Sequence, residues 1–175
     1  YTMDPKYILD VGTGSGAIAC AMQRSFPDAG VMGLDISAKA LAYAKRNGER
    51  FAPNVEWRVM DFLKKHSWNE LPTCDLIVSN PPYIPFSEAS VSVDQHVDEN
   101  EPSQALYVPD SDPLVFYRAL FSFASGLRRP VQLFAEIHPP QRKQLEDLAN
   151  QMKIPFSFHK DLSAKDRFIR CNFRS

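Results

Sequence analysis

Neither sign of charge is in excess in this chain: 20 Lys and Arg stand against 21 Asp and Glu, a formal net charge of -1. There is therefore no general electrostatic pull toward nucleic acid, and direct nucleic-acid binding is not expected, although a local basic patch is not excluded by a sum. Cysteine is scarce. Cys20, Cys74 and Cys171 are odd in number and widely spaced, which makes neither a metal-ligand pattern nor a disulfide framework and suggests a reducing, cytoplasmic setting. The sequence has no signal peptide, no apolar run long enough to span a bilayer and no internal repeat, so no membrane partner is expected. An initiating methionine is also missing: the chain opens at Tyr1 and enters an apolar run almost at once. It reads as a piece of a longer protein.

What is present is an ordinary globular composition, 44% hydrophobic and 23% charged over 175 residues, enough for one domain with a proper core. Tyr7–Val11 is a short apolar run ending in a Gly-rich turn and predicts a buried strand. A helix follows over residues 17–26, stopped by Pro27. A second strand over 30–34 ends at Asp35, and Ser37 is placed to cap a helix through Asn47, with Gly48 just past its end. Ala40, Leu41 and Ala44 give that helix its apolar face. A third strand over 55–60 ends at Asp61, and a fourth over 75–79 ends at Asn80. Leu114, Tyr117, Leu120 and Phe121 set helical spacing over 113–125. A fifth strand over 131–137, a helix over 141–152 and two late strands over 156–159 and 168–173 complete the chain.

Strands alternating with helices predict an α/β fold with a mostly parallel sheet covered on both faces, the last two strands forming an antiparallel edge hairpin. Ligands of such sheets sit outside the carboxyl ends of the strands. Asp10, Asp35, Asp61 and Asn80 all fall at or near such ends. Residues 84–112 form a long stretch of little periodicity, rich in acids, Ser and Pro, of the kind that is usually functional or mobile.

The Gly-rich turn is Asp10-Val11-Gly12-Thr13-Gly14-Ser15-Gly16. Alternating glycines permit a sharp turn and a close ligand approach, and the next helix faces that ligand with free amides. Gly12, Gly14 and Ala17 also fit the dinucleotide pattern G-x-G-x-x-A. Asp10 argues against it, since a carboxylate there would repel a pyrophosphate but welcome the cationic sulfonium and ammonium of S-adenosylmethionine. Asp35 is placed to accept ribose hydroxyls. Asp61-Phe62 suits an adenine, with an acceptor for the amino group and a ring to pack on it. The plainer alternatives are a loop acid and a core phenylalanine.

Asn80-Pro81-Pro82-Tyr83 directly follows the fourth strand. Two prolines stiffen the backbone and remove two amide donors, leaving carbonyl acceptors and an aromatic ring. That inventory suits a planar nitrogen carrying two hydrogens, whose lone pair is delocalised. The Asn80 side-chain oxygen and the Pro81 carbonyl can each accept one N–H, and Tyr83 can stack on the flat substrate. A proline-stiffened turn with a packed tyrosine is the bland alternative.

These residues resemble the release-factor protein-(glutamine) methyltransferases, the HemK/PrmC family. Residues 10–17 are similar to that family's cofactor loop and Asn80 to Tyr83 to its substrate motif. Adenine methyltransferases of DNA and some ribosomal RNA enzymes share Asn-Pro-Pro-Tyr. The discriminating stretch is Glu101-Pro102-Ser103-Gln104-Ala105-Leu106, then Asp112-Pro113-Leu114 and Tyr117-Arg118. Glu136, Gln141, Lys160-Asp161-Leu162 and Asp166-Arg167 also match. The resemblance implies a class I methyltransferase fold with seven strands, and S-adenosylmethionine as cofactor. It implies as substrate the glutamine of the Gly-Gly-Gln loop of peptide-chain release factors. By position it puts Gly12 to Gly16, Asp35, Phe62 and Asn80 on the cofactor and Asn80 to Tyr83 on the glutamine amide.

Two departures stand out. The family's N-terminal helical domain and its Pro-Arg-x-Glu-Thr segment before the first strand are not found, so residues 1–175 are expected to be the catalytic domain alone. His138-Pro139-Pro140 replaces a less Pro-rich turn, and the sequence supplies no functional account of it. An adenine amino-methyltransferase and a non-catalytic binding domain of the same fold are the rival readings; a dinucleotide oxidoreductase is a more distant one.

Overall fold

The computed structural model describes residues 4–88 and 107–174. The strands are β1 (Tyr7–Val11), β2 (Gly30–Asp35), β3 (Glu56–Val59), β4 (Leu76–Ser79), β5 (Ile84–Pro85), β6 (Tyr107–Val108), β7 (Val131–Glu136), β8 (Phe156–Lys160) and β9 (Asp166–Phe173). The α-helices are α1 (Ala17–Ser25), α2 (Ala38–Phe51), α3 (Val115–Gly126) and α4 (Arg142–Gln151). Seven strands form one sheet in the order β3-β2-β1-β4-β7-β9-β8. The pairs from β3 to β7 are parallel, while β9 runs antiparallel to both β7 and β8. The fold is therefore the expected α/β sheet with its antiparallel edge hairpin.

The chain starts in the middle of the sheet, steps outward to β3, then returns to lay β4 on the other flank of β1. That reversal is a topological switch point, and it opens a crevice at the carboxyl ends of β1 and β4. The register shows what meets there: Val11 pairs with Leu34 on one side and with Ser79 on the other. Gly12, Asp35 and Asn80 therefore sit together at one level.

Alternation along the strands divides the core. Leu9, Val11, Leu34, Ile77 and Leu133 point to the face covered by α3 and α4, whereas Ile8, Val31, Leu76 and Val78 point to the face covered by α1. Burying an Ile or Leu completely, as at Ile8, Leu9, Ile77 and Leu133, stabilises by about 1.5–3 kcal/mol each before side-chain entropy is counted. In α3 the buried Tyr117, Leu120, Phe121 and Ala124 make the expected stripe, as do Leu145, Leu148 and Ala149 in α4. Cys20, Cys74 and Cys171 are buried free thiols.

Helix α2 departs from expectation. Ser37 caps it, accepting the Ala40 N–H at 3.1 Å, but the helix continues through Gly48 to Phe51. Gly48 is an interior residue on the buried stripe with Leu41 and Ala44. The reason is Trp57 of β3: a Cβ on Gly48 would come within 2.9 Å of its indole, and Cβ atoms on Gly16 and Gly33 within 2.6 and 2.7 Å. Three glycines from three elements thus make room for one ring. The two described ends of the stretch 84–112 are joined, since β5 and β6 pair in parallel, Ile84 with Tyr107 and Pro85 with Val108. Residues 101–106, which carry part of the family resemblance, lie outside the described residues. No helix among the described residues is long and apolar enough to cross a membrane.

Candidate active site

The Gly-rich turn is held from several sides. The N–H groups of Gly12 and Thr13 both donate to the Leu34 carbonyl, at 2.9 and 2.8 Å. Gly12, Gly14 and Gly16 have φ of 74°, 55° and 82°, a left-handed backbone that explains the alternation of glycines. Asn47 of α2 donates to the Ser15 carbonyl at 2.9 Å. A Cβ on Gly14 would have no heavy atom of the described residues within 4 Å, and one on Gly12 would lie 3.7 Å from the Asn80 carbonyl oxygen. The turn is fixed below and open above, and it lies beside the strand end that bears Asn80.

Asp10 lies beneath this turn rather than on its open side. It is fully buried, and its Oδ2 accepts the Thr13 hydroxyl at 2.6 Å and the Ala19 N–H at 3.0 Å. The carboxylate thus ties the turn to the first turn of α1. Burial is the main reason its pKa is pushed up to about 6, against the lowering effect of the Thr13 and Ala19 bonds. Its Oδ1 is buried with no partner among the described residues. A carboxylate so poorly compensated favours a positive charge nearby. Thr13, itself buried, serves the turn through Asp10, while Ser15 is exposed.

Asp35 ends β2 with both oxygens directed: Oδ2 accepts the Gly14 N–H at 2.9 Å and Oδ1 accepts the Ser37 N–H at 2.8 Å. Each oxygen keeps further acceptor capacity. Asp61 accepts the Leu63 N–H at 3.1 Å and stands 3.7 Å from the Lys64 ammonium. The ring of Phe62 is in the core, 5.5 Å from both Trp68 and Phe123. Of the two readings the sequence left open for Phe62, the structure puts the ring in the core one.

Asn80 follows β4 with an exposed side chain, and Pro81 behind it is buried. The Ser79 hydroxyl donates to the Val11 carbonyl at 2.7 Å, locking the end of β4 to that of β1. Pro82 and Tyr83 are half-buried. Tyr83 is gripped by the end of β7 and the segment after it: its hydroxyl lies 3.3 Å from Glu136 Oε1, and its carbonyl accepts the Gln141 amide at 2.7 Å. Tyr117 of α3 steadies that segment by donating to the Glu136 carbonyl at 2.8 Å. The sequence singled out neither Ser79, Asn47 nor Trp57 as supports. A polar residue facing inward in the apolar run of β4 was the available signal for Ser79.

A family model described as a methyltransferase domain matches residues 8–93, which span the turn, Asp35, Asp61-Phe62 and Asn80 to Tyr83. The chain is 36% identical over 169 residues to the release factor glutamine methyltransferase of Flavobacterium psychrophilum, covering 95% of this chain and 58% of that protein. It is 37% identical over 172 residues to that of Bacteroides thetaiotaomicron, covering 97% and 61%. Over nearly its whole length the chain is similar to release factor glutamine methyltransferases. It spans about three-fifths of the length of these curated relatives. Among solved structures it resembles a methyltransferase from Pyrococcus furiosus, with a TM-score of 0.66 at 16% identity over 97% of this chain and 75% of that one. That likeness establishes the class I methyltransferase fold.

The fold and the methyltransferase-domain match together imply S-adenosylmethionine as the cofactor, and the residues present fit it. Gly14 offers open space at the turn. Asp35 offers an anchored carboxylate beside that space. The uncompensated Oδ1 of Asp10 favours a cation above it. A pyrophosphate would meet two carboxylates here, which disfavours the dinucleotide alternative.

Proposed function

We propose that this chain is the catalytic domain of a cytoplasmic S-adenosylmethionine-dependent protein-(glutamine) N-methyltransferase. Its substrate is the side-chain amide nitrogen of the glutamine in the Gly-Gly-Gln motif of peptide-chain release factors. The observation that carries the reading is the abutment of two motifs: a Cβ on Gly12 of the cofactor turn would lie only 3.7 Å from the Asn80 carbonyl oxygen. An amide held by Asn80 is thereby next to whatever the turn holds. The family supports the release factor as partner, and the net charge of -1 supports a protein rather than a nucleic-acid substrate.

Gly12 to Gly16 and Asp35 hold the cofactor, with Asp10 supplying negative charge from below and Asp61 flanking the adenine end. Bound S-adenosylmethionine supplies an electrophilic methyl group. The Asn80 side-chain oxygen and the Pro81 carbonyl each accept one N–H of the glutamine amide. Doing so draws the nitrogen away from planarity and frees its lone pair. The Tyr83 ring and the acceptors stabilise the positive charge that grows on nitrogen, after which its acidified proton leaves to solvent or to a carbonyl. Proximity supplies much of the remainder, up to about 7–11 kcal/mol for well-oriented groups.

The test is mass spectrometry of a release factor after incubation with the full-length protein and cofactor. One added methyl group on the Gly-Gly-Gln glutamine is expected. Methylation of adenine in nucleic acid with none on the release factor would overturn the assignment in favour of the amino-methyltransferase reading.

A further inference from the structure

The turn from His138 to Gln141 has no place in the mechanism above, yet it lies against the substrate motif. The His138 ring is stacked on the Tyr83 ring, with centroids 5.5 Å apart and planes within 10°. Its Nε2 lies 3.3 Å from Glu88 Oε2, and only 17% of its side chain is exposed. Glu88 closes the short 3-10 turn Phe86–Glu88, so His138 touches the chain both within and just beyond Asn80 to Tyr83. The neighbouring Ser87 is tied down separately, its N–H and hydroxyl donating to Asp110 at 2.9 and 2.8 Å.

The prolines explain how the imidazole is aimed. A residue before proline is driven to extended backbone, and His138 has φ -78° and ψ 115°. Pro139 then begins a 3-10 turn in which the Gln141 N–H donates to the His138 carbonyl at 2.9 Å. The same turn brings the Gln141 amide onto the Tyr83 carbonyl. One rigid tetrapeptide therefore holds both the ring and the main chain of Tyr83, with Glu136 at its hydroxyl.

We infer that His138 is a positioning residue: its stack on Tyr83 and its contact with Glu88 set the plane of the Tyr83 ring at the substrate site. This rests on the amide-methylation reading. The cofactor turn and Asp35 belong to other elements, so cofactor binding should not depend on His138. The stack fixes only the plane of the Tyr83 ring, so KM for a release factor should depend on His138 little. The turnover step, which requires a fixed amide, should depend on it more.

The experiment compares wild type, His138→Ala and His138→Phe in the full-length protein. Readouts are kcat and KM for a release factor, calorimetric affinity for S-adenosylmethionine, and the Tyr83 ring resonances in 13C-tyrosine-labelled protein, assigned by Tyr83→Phe. His138→Ala should shift the Tyr83 resonances and lower kcat roughly three- to tenfold, the range of an aromatic pair. Cofactor affinity and KM should hold. His138→Phe keeps a stacking ring and should restore most of kcat, which a merely structural loss would not do. Unmoved Tyr83 resonances in His138→Ala, or a His138→Phe variant as slow as the alanine one, would overturn the inference. If wild type itself transfers no methyl to the release factor, the proposed function falls, and the resonances alone decide whether His138 orients Tyr83.

Discussion

Asp35 reaches from the end of β2 to the cofactor turn and accepts the Gly14 N–H at 2.9 Å. The same carboxylate accepts the Ser37 N–H at the start of α2. One side chain thus shapes the loop and presents acceptors beside it. Asp35→Ala should weaken S-adenosylmethionine binding by at least one charge-assisted hydrogen bond, about 1.5–3 kcal/mol, and loosen Gly14 as well. Calorimetry with the full-length protein measures this. Wild-type affinity in a folded variant would place the ribose away from Asp35.

Asn80 is the residue whose loss should separate chemistry from folding. Its side chain is exposed, so Asn80→Ala should change stability by no more than about 0.5 kcal/mol. Turnover should fall on the order of a hundredfold, as when other preorganised dipoles are removed from active sites. Near wild-type turnover in the folded variant would refute activation of the amide by Asn80.

Asp10 predicts a pH dependence. Burial raises its folded-state pKa from 3.8 to about 6. Between those values the folded protein holds more protons than the unfolded chain. The stability Asp10 contributes is therefore full below pH 3.8, declines as pH rises, and is lost above about pH 6. The size is on the order of 3 kcal/mol. Asp10→Asn removes the ionisation, so the variant should gain on wild type as pH rises from about 4 to about 7. Thermal melts across that range test it, and a difference independent of pH would show that Asp10 is not buried as described.

Gly33 should not accept a side chain. A Cβ there would meet Trp57 Cζ3 at 2.7 Å and the Thr13 hydroxyl oxygen at 3.0 Å. The indole has little freedom to retreat, because Gly16, Gly48 and Ala44 crowd the same cavity. Gly33→Ala should destabilise by about 1–3 kcal/mol, as overpacking does. In a Trp57→Leu background the cost should shrink. An equal cost in both backgrounds would locate the strain elsewhere.

The order along the chain of the main sheet's seven strands and of the four α-helices, the positions of Asp35, Asp61 and Asn80 at or just past strand ends, and the family resemblance were all decided by the sequence alone. Period-two and helical patterning, a glycine turn between a strand and a helix, and Asn-Pro-Pro-Tyr after an apolar run are local signals. Local signals survive in one dimension. What needed the tertiary structure was everything set by residues distant along the chain. Gly48 looks like a helix stop until Trp57 is known to fill the space beside it. Phe62 is drawn into the core by Trp68 and Phe123, the latter 61 residues away along the chain. Asp10 is at a strand end in sequence, yet the helix that follows covers it and turns its charge into one felt from below. His138 had no account in the sequence because its partners, Tyr83 and Glu88, come 55 and 50 residues earlier. Packing against distant partners is a property of three-dimensional closure, and no pattern of neighbours along the chain encodes it in readable form.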